Sequence, residues 1–338
     1  MHLSPSEHHR YLLSLQRPRY RYDGGDVNVW RRGWRRQLRR LLGDWPRERC
    51  PLAARQLWQR PHPLGTMEKL VFTAEPYADV TGYLCLPSTG CAPYPVMICL
   101  QGHTSGMHHS IAVEAADETT PMTVAGDRDF ALGCLRRGWA ALCLEQRSLG
   151  ERRELRQEKV SPYNRCHDAF VQALMLGRTL LGERVYDVDR GIDYLLTRPE
   201  IDSRRIGVMG NSGGGTVAIY AAAVLPRLAY AMPSCSFGAF AETKITLYHC
   251  ACGYVPRLAQ YAEMADVLGL FAPKPVVVVA GQDDPIIPLP GARRAFEQLQ
   301  EIYRAAGAAQ RCRLVVGPEG HRFYADAAWE AFQALIGG

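Results

Sequence analysis

The sequence predicts an α/β fold: a mostly parallel sheet with helices on both faces. Three observations predict it. From residue 64 to the end, short apolar runs alternate with helical patterns, the signature of a parallel sheet with crossover helices. Two of those runs, 96–100 and 276–279 (Val276 to Val279), are wholly apolar, as a strand covered on both faces must be. Between the apolar run 205–209 and the small-residue helical stretch 216–223 stands Gly210-Asn211-Ser212-Gly213-Gly214, a G-x-S-x-G turn joining strand to helix.

The elements follow in order. Residues 1–25 are polar and are expected to be irregular. Residues 28–42 place Trp30, Trp34, Leu38, Leu41 and Leu42 at helical spacing among arginines, predicting an amphipathic helix. Strands are predicted at 69–73, 80–86, 96–100, 139–144, 205–209, 228–233, 274–280 and 312–316. Helices are predicted at 129–137, ended by Gly138, at 166–181, at 182–198, ended by Pro199, and at 216–223, 293–306 and 326–336. Two units result: a basic extension over 1–63, and a catalytic domain over 64–338. The long connections 104–125 and 235–271 are expected to cap the sheet.

Composition narrows the function classes. The net charge of +6 is concentrated at the start, where residues 1–60 hold fourteen arginines against five acids and leave the remainder slightly acidic. No binding fold accompanies these arginines, so nucleic acid is not the expected partner. Docking of the helix on the main body is preferred, with a contact between identical subunits or with a membrane surface as the alternatives. No apolar run reaches the length of a membrane span, and the opening Met1-His2-Leu3-Ser4-Pro5-Ser6-Glu7 has no apolar signal core. Eleven cysteines, several inside predicted strands, suit a reducing compartment, and a cytoplasmic location is expected.

A serine hydroxyl becomes a nucleophile when a base takes its proton and an acid orients that base. In a fold entered by such a turn, the partners follow later strands in the order acid, then histidine. After the strand at 274–280 comes Gly281-Gln282-Asp283-Asp284-Pro285, and after 312–316 comes Gly317-Pro318-Glu319-Gly320-His321. The expected triad is therefore Ser212, Asp284 and His321, with Asp283 as the other candidate acid. Oxyanion donors are expected from the backbone of Gly213 and of His103, which lies in the loop after the first central strand. Gln101, Glu145, Arg147, Asn211, Phe237 and Tyr248 are candidate pocket residues, with Phe240 and Tyr254 as further cap aromatics. Bracing ion pairs are the preferred role for Glu145 and Arg147. No metal site is expected. His103, His108 and His109 lack carboxylate or cysteine ligands at familiar spacings, and His249-Cys250-Ala251-Cys252 is likewise a weak metal signal that reads as packing.

The elbow, the Gly-Gln-Asp-Asp-Pro loop and the Gly-His-Arg-Phe loop resemble the α/β-hydrolase superfamily. Within it, the chain is similar to serine esterases of the acetyl xylan esterase and cephalosporin-C deacetylase type and to dienelactone-hydrolase-like relatives. The likeness covers roughly residues 65–337 and includes Gln101-Gly102-His103, Glu145-Gln146-Arg147 and Arg198-Pro199-Glu200-Ile201-Asp202. It implies an eight-stranded sheet, the triad Ser212, Asp284 and His321, and no cofactor. Two departures are visible: Gln101-Gly102-His103 stands where the deacetylases carry His-Gly-Tyr, and Ser212 stands where dienelactone hydrolases carry cysteine. The expected activity is hydrolysis of small, acetyl-type carboxylic esters through an acyl-enzyme. The alternatives are a peptidase of the prolyl-oligopeptidase type and a non-catalytic binding protein of the same fold.

Overall fold

The computed structural model describes residues 3–103, 105–154 and 166–337. Position 104, the first of the predicted cap, and the outermost ends of the two predicted units lie outside the described residues. The sheet has nine strands: β1 (Arg55–His62), β2 (Gly65–Glu75), β3 (Ala78–Pro87), β4 (Tyr94–Leu100), β5 (Ala140–Leu144), β6 (Ile201–Asn211), β7 (Tyr230–Ser234), β8 (Val276–Gly281) and β9 (Cys312–Gly317). Their spatial order is β1-β2-β3-β5-β4-β6-β7-β8-β9. The first three strands and β5 pair antiparallel, and every pairing from β5 through β9 is parallel.

The expected eight strands thus become nine. The additional strand, β1, lies inside the predicted extension. It escaped a reading based on apolar alternation because Arg-Gln-Leu-Trp-Gln-Arg-Pro-His is polar on both faces, and only Trp58, Arg60 and His62 are even half-buried. It is an edge strand, where Pro61 and charged side chains are tolerated.

Helices flank the sheet on both sides. Buried residues of α5 (Leu180–Leu195), α6 (Gly213–Val224), α7 (Met264–Gly269) and α8 (Leu289–Ala305) form the larger core cluster with one sheet face. Those of α3 (Phe130–Leu135) and α9 (Ala325–Ile336) form the second cluster on the other face. The predicted helix 166–181 is shorter than expected. α4 (His167–Met175) ends before Gly177, which has φ 72°, and α5 restarts at Thr179, whose hydroxyl accepts from the amide of Gly182.

The extension is structured and docked. Residues 5–14 form helix α1 (Pro5–Ser14) where irregular chain was expected; Pro5 at its first turn and Glu7 behind it are the local helix signals. Helix α2 (Val27–Leu41) is capped by Asp26, which accepts from the amides of Asn28 and Val29. Its apolar stripe is used internally: Trp34, Leu38 and the following Leu42 are buried in the main core, with Trp30 and Leu41 packed against it. The stripe is therefore not available for a contact between subunits. Trp34 stacks on Tyr20 at 5.3 Å and donates to the carbonyl of Asp266 at 3.1 Å. Trp34→Ala is expected to cost about 3–5 kcal/mol, read as an earlier midpoint in urea unfolding.

Candidate functional site

Strand order positions the site. The chain runs from β4 to β5 on one side of β4 and then to β6 on the other, so the carboxyl ends of β4 and β6 flank a switch in strand order, where ligands of such sheets bind. Ser212 follows β6 and caps α6 with φ 57° and ψ −120°, a strained conformation for a residue with a side chain. The close crossing that produces it needs a bare backbone. A Cβ on Gly214 would lie 2.0 Å from the carbonyl oxygen of Leu100, and one on Gly210 would lie 2.6 Å from the carbonyl carbon of Gly214.

Asp284 follows β8 and His321 follows β9. Asp284 Oδ2 lies 2.8 Å from His321 Nδ1, and Asp284 Oδ1 accepts from the amides of Ile286 and Ile287. Burial opposes the charge on Asp284, but His321 and these two amides hold its carboxyl below the usual range. Asp283, the other candidate, is exposed. His321 Nε2 is buried and has no hydrogen-bond partner among the described residues. The loops are tied together by Ser234 at the end of β7. Its hydroxyl lies 2.9 Å from Oδ1 of Asn211, beside the serine, and 3.1 Å from the carbonyl of Arg322, beside the histidine.

A cavity of about 240 Å³ opens at Ser212, lined in part by His103, Gly213, Ser236, Tyr248 and His249. Gly213 is the first residue of α6, so its amide has no acceptor within the helix. The His103 imidazole packs over Gly213: a Cβ there would stand 2.8 Å from the ring. Among the predicted pocket residues, Tyr248 lines this cavity and the others do not. Gln101 is turned away, donating to Ser110 Oγ and the carbonyl of Arg128. Asn211 is buried against Ser234, and Phe237 is core. Phe240 and Tyr254 line a separate cavity beside α1. Arg147 sits in an ion-pair network with Asp187, Glu75 and Glu183.

The elbow after β6, with the acid and histidine following β8 and β9, stands beside a sequence match. A family model described as "Abhydrolase family" matches residues 8–237. The chain belongs to that family. A second model, "Prolyl oligopeptidase family", matches residues 175–334 of this Abhydrolase-family chain. A Bacillus subtilis (strain 168) protein bearing a hydrolase name, YtaP, is 26% identical over 85% of the chain and 92% of its own length. Among solved structures, a Bacteroides fragilis NCTC 9343 protein bearing an acetyl xylan esterase name superposes with TM-score 0.78 at 16% identity, covering 94% of this chain and 82% of that one. A glucuronoyl esterase from Solibacter usitatus superposes with TM-score 0.69 at 15% identity, covering 94% and 96%. These likenesses establish the fold.

Two groups at the cavity were not assigned to the site from the sequence, where His249 figured only in the weak His249-Cys250-Ala251-Cys252 metal motif. His249 lines the cavity with Nε2 buried and without a hydrogen-bond partner among the described residues. Burial and the neighbouring Lys244 push it down to about 4, so the ring is neutral. Cys235 stands beside Asp284, and burial and that charge push its thiol up to about 12, which leaves it no role as a nucleophile at neutral pH. Neither could be read from local spacing, since both depend on what the cap folds against.

Glu145 lines a different cavity, with Ser105, His108 and Glu118. Burial pushes its carboxyl up to about 7, partly offset by the amides of Met107 and Glu151. A carboxyl raised above its unfolded value stabilises the fold below that unfolded value, and the benefit is lost as pH rises through 7. Glu145→Gln, which cannot ionise, is therefore expected to gain on the parent by at most about 3 kcal/mol at pH 8. The gap should close by about pH 4, and urea unfolding at the two pH values measures it.

Proposed function

We propose that this chain is a serine carboxylesterase acting on small acyl esters. The observation that carries the reading is the pairing of Asp284 with His321 on strand ends adjoining a strained, cavity-facing Ser212. In this reading His321, oriented through Nδ1 by Asp284, takes the Ser212 proton at Nε2. Ser212 Oγ attacks the ester carbonyl, and the amides of Gly213 and His103 stabilise the oxyanion. His321 then protonates the leaving alcohol and activates water to release the acid. The Ser212–His321 hydrogen bond is not formed in this geometry. Such bonds commonly tighten only when substrate binds, and the unpartnered Nε2 is available for it.

The cavity of about 240 Å³ favours a small acyl group, and the similar esterases act, by their names, on acetyl and glucuronoyl esters. Residues 64–338 supply the catalytic residues, and residues 1–63 a docked extension that adds β1 to the sheet edge, packs α2 into the main core and braces the cap. Arg19 and Tyr20 donate their amides to Gln260 and Tyr261. No described helix is long and apolar enough to cross a membrane. The eleven free cysteines favour a reducing, cytoplasmic setting, with a small-molecule ester rather than nucleic acid as the partner.

Purified protein assayed on p-nitrophenyl acetate, acetylated xylan and a methyl glucuronate ester tests the reading. Turnover of at least one, abolished by a fluorophosphonate that labels Ser212, is the expected result; no turnover and no labelling would overturn it. The match to the prolyl oligopeptidase model favours one other reading, cleavage of a peptide bond by the same residues. Faster hydrolysis of a short peptide p-nitroanilide than of any ester would establish that instead.

A further inference from the structure

Three cysteines and a histidine, far apart in the chain, converge on one wall of the Ser212 cavity. Cys250 and Cys252 flank a single turn in the cap, Cys166 stands at the start of α4, and His103 comes from the loop after β4. Their ligand atoms all lie within 4.8 Å of one another, and His103 Nε2 is 3.0 Å from Cys252 Sγ. In a tetrahedral zinc centre with Zn–S of about 2.3 Å and Zn–N of about 2.0 Å, neighbouring donor atoms are about 3.5–3.8 Å apart. The cluster therefore needs shifts of no more than about one ångström to close on an ion.

A second observation concerns charge. Arg184 is buried, and its guanidinium donates to the carbonyl of Arg147 and lies 3.3 Å from Cys166 Sγ. It makes no ion pair with a carboxylate among the described residues. A buried cation without a counter-charge is costly. Three thiolates, a neutral imidazole and a divalent cation sum to one negative charge, the complement of this guanidinium.

We propose that His103, Cys166, Cys250 and Cys252 bind one Zn²⁺ per chain. Thiolate and imidazole donors select a thiophilic ion over Mg²⁺ or Ca²⁺. With four protein ligands no coordination position is left for water or substrate, so the centre is structural. It fastens the cap and the start of α4 to the loop whose backbone borders Ser212, and it shapes that side of the cavity. Binding displaces the thiol protons to solvent, with no redox change. The proposal stands whether or not the chain is an esterase.

The full chain, expressed with zinc, dialysed and measured by metal analysis, is expected to hold about one zinc per chain. After chelation, cobalt(II) should restore binding, with intense thiolate-to-cobalt charge transfer and the visible bands of a tetrahedral centre. Cys166→Ser and Cys252→Ser should lower the zinc content at least tenfold, whereas Cys312→Ser, a buried free cysteine in β9, should leave it unchanged. The wild-type cobalt spectrum serves even if a variant fails to fold. Metal-free wild-type protein that gives no thiolate band with cobalt overturns the proposal, as does a native mass two hydrogens light from a disulfide among these cysteines. Both readouts are independent of ester turnover.

Discussion

Ser212→Ala is expected to reduce kcat on the ester that proves fastest by roughly 10⁵–10⁶-fold, because in the proposed mechanism it removes the nucleophile and leaves only oxyanion binding. The fold should be untouched. Ser212 Oγ makes no hydrogen bond in capping α6, and alanine relieves none of the closeness imposed by Gly210 and Gly214. An unchanged unfolding midpoint with lost turnover is the expected pair of results. Turnover retained within tenfold would remove Ser212 from the mechanism.

Asp284→Asn is expected to lower kcat by about 10⁴-fold. Asparagine keeps a carbonyl oxygen for the amides of Ile286 and Ile287, so the loop can stay in place. It loses the charge that stabilises an imidazolium at His321 and can present an N–H to Nδ1, which selects the wrong tautomer. Asp283→Asn, at the exposed neighbouring position, is expected to stay within about twofold of the parent, since nothing places that side chain against the histidine. Equal losses in the two variants would mean that the loop and not the carboxylate matters. Steady-state kinetics across pH 5–9 separates the cases.

Much of this was legible in the chain. Strands β4 and β8 were evident because parallel strands buried on both faces leave an unbroken apolar run. The elbow was evident because only glycine tolerates the contacts around Gly210 and Gly214, and the sequence carries that requirement openly. That Asp284 and His321 stand in loops after β8 and β9 followed from chain order, since each loop must come after its own strand. What escaped shares a cause. Strand β1 is a polar edge whose pairing with β2 is a matter of backbone hydrogen bonds, not apolar pattern. Helix α1 buries no residue, so no stripe announced it. Gln101 looked like a site residue by position, yet its amide turns to Ser110 and Arg128.

The sequence by itself determined the layered sheet, the order of its chemical residues and the docking stripe of α2, because all three are written in local periodicity and in chain order. Only the tertiary structure decided which aspartate meets His321, that Arg147 pairs with Asp187 and Glu75, and that Cys166 and His103 join Cys250 and Cys252. The physical reason is range. Burial periodicity and glycine sterics act between near neighbours along the chain, whereas hydrogen bonds, ion pairs and metal ligation depend on distances of a few ångströms between segments that meet only when the sheet has formed.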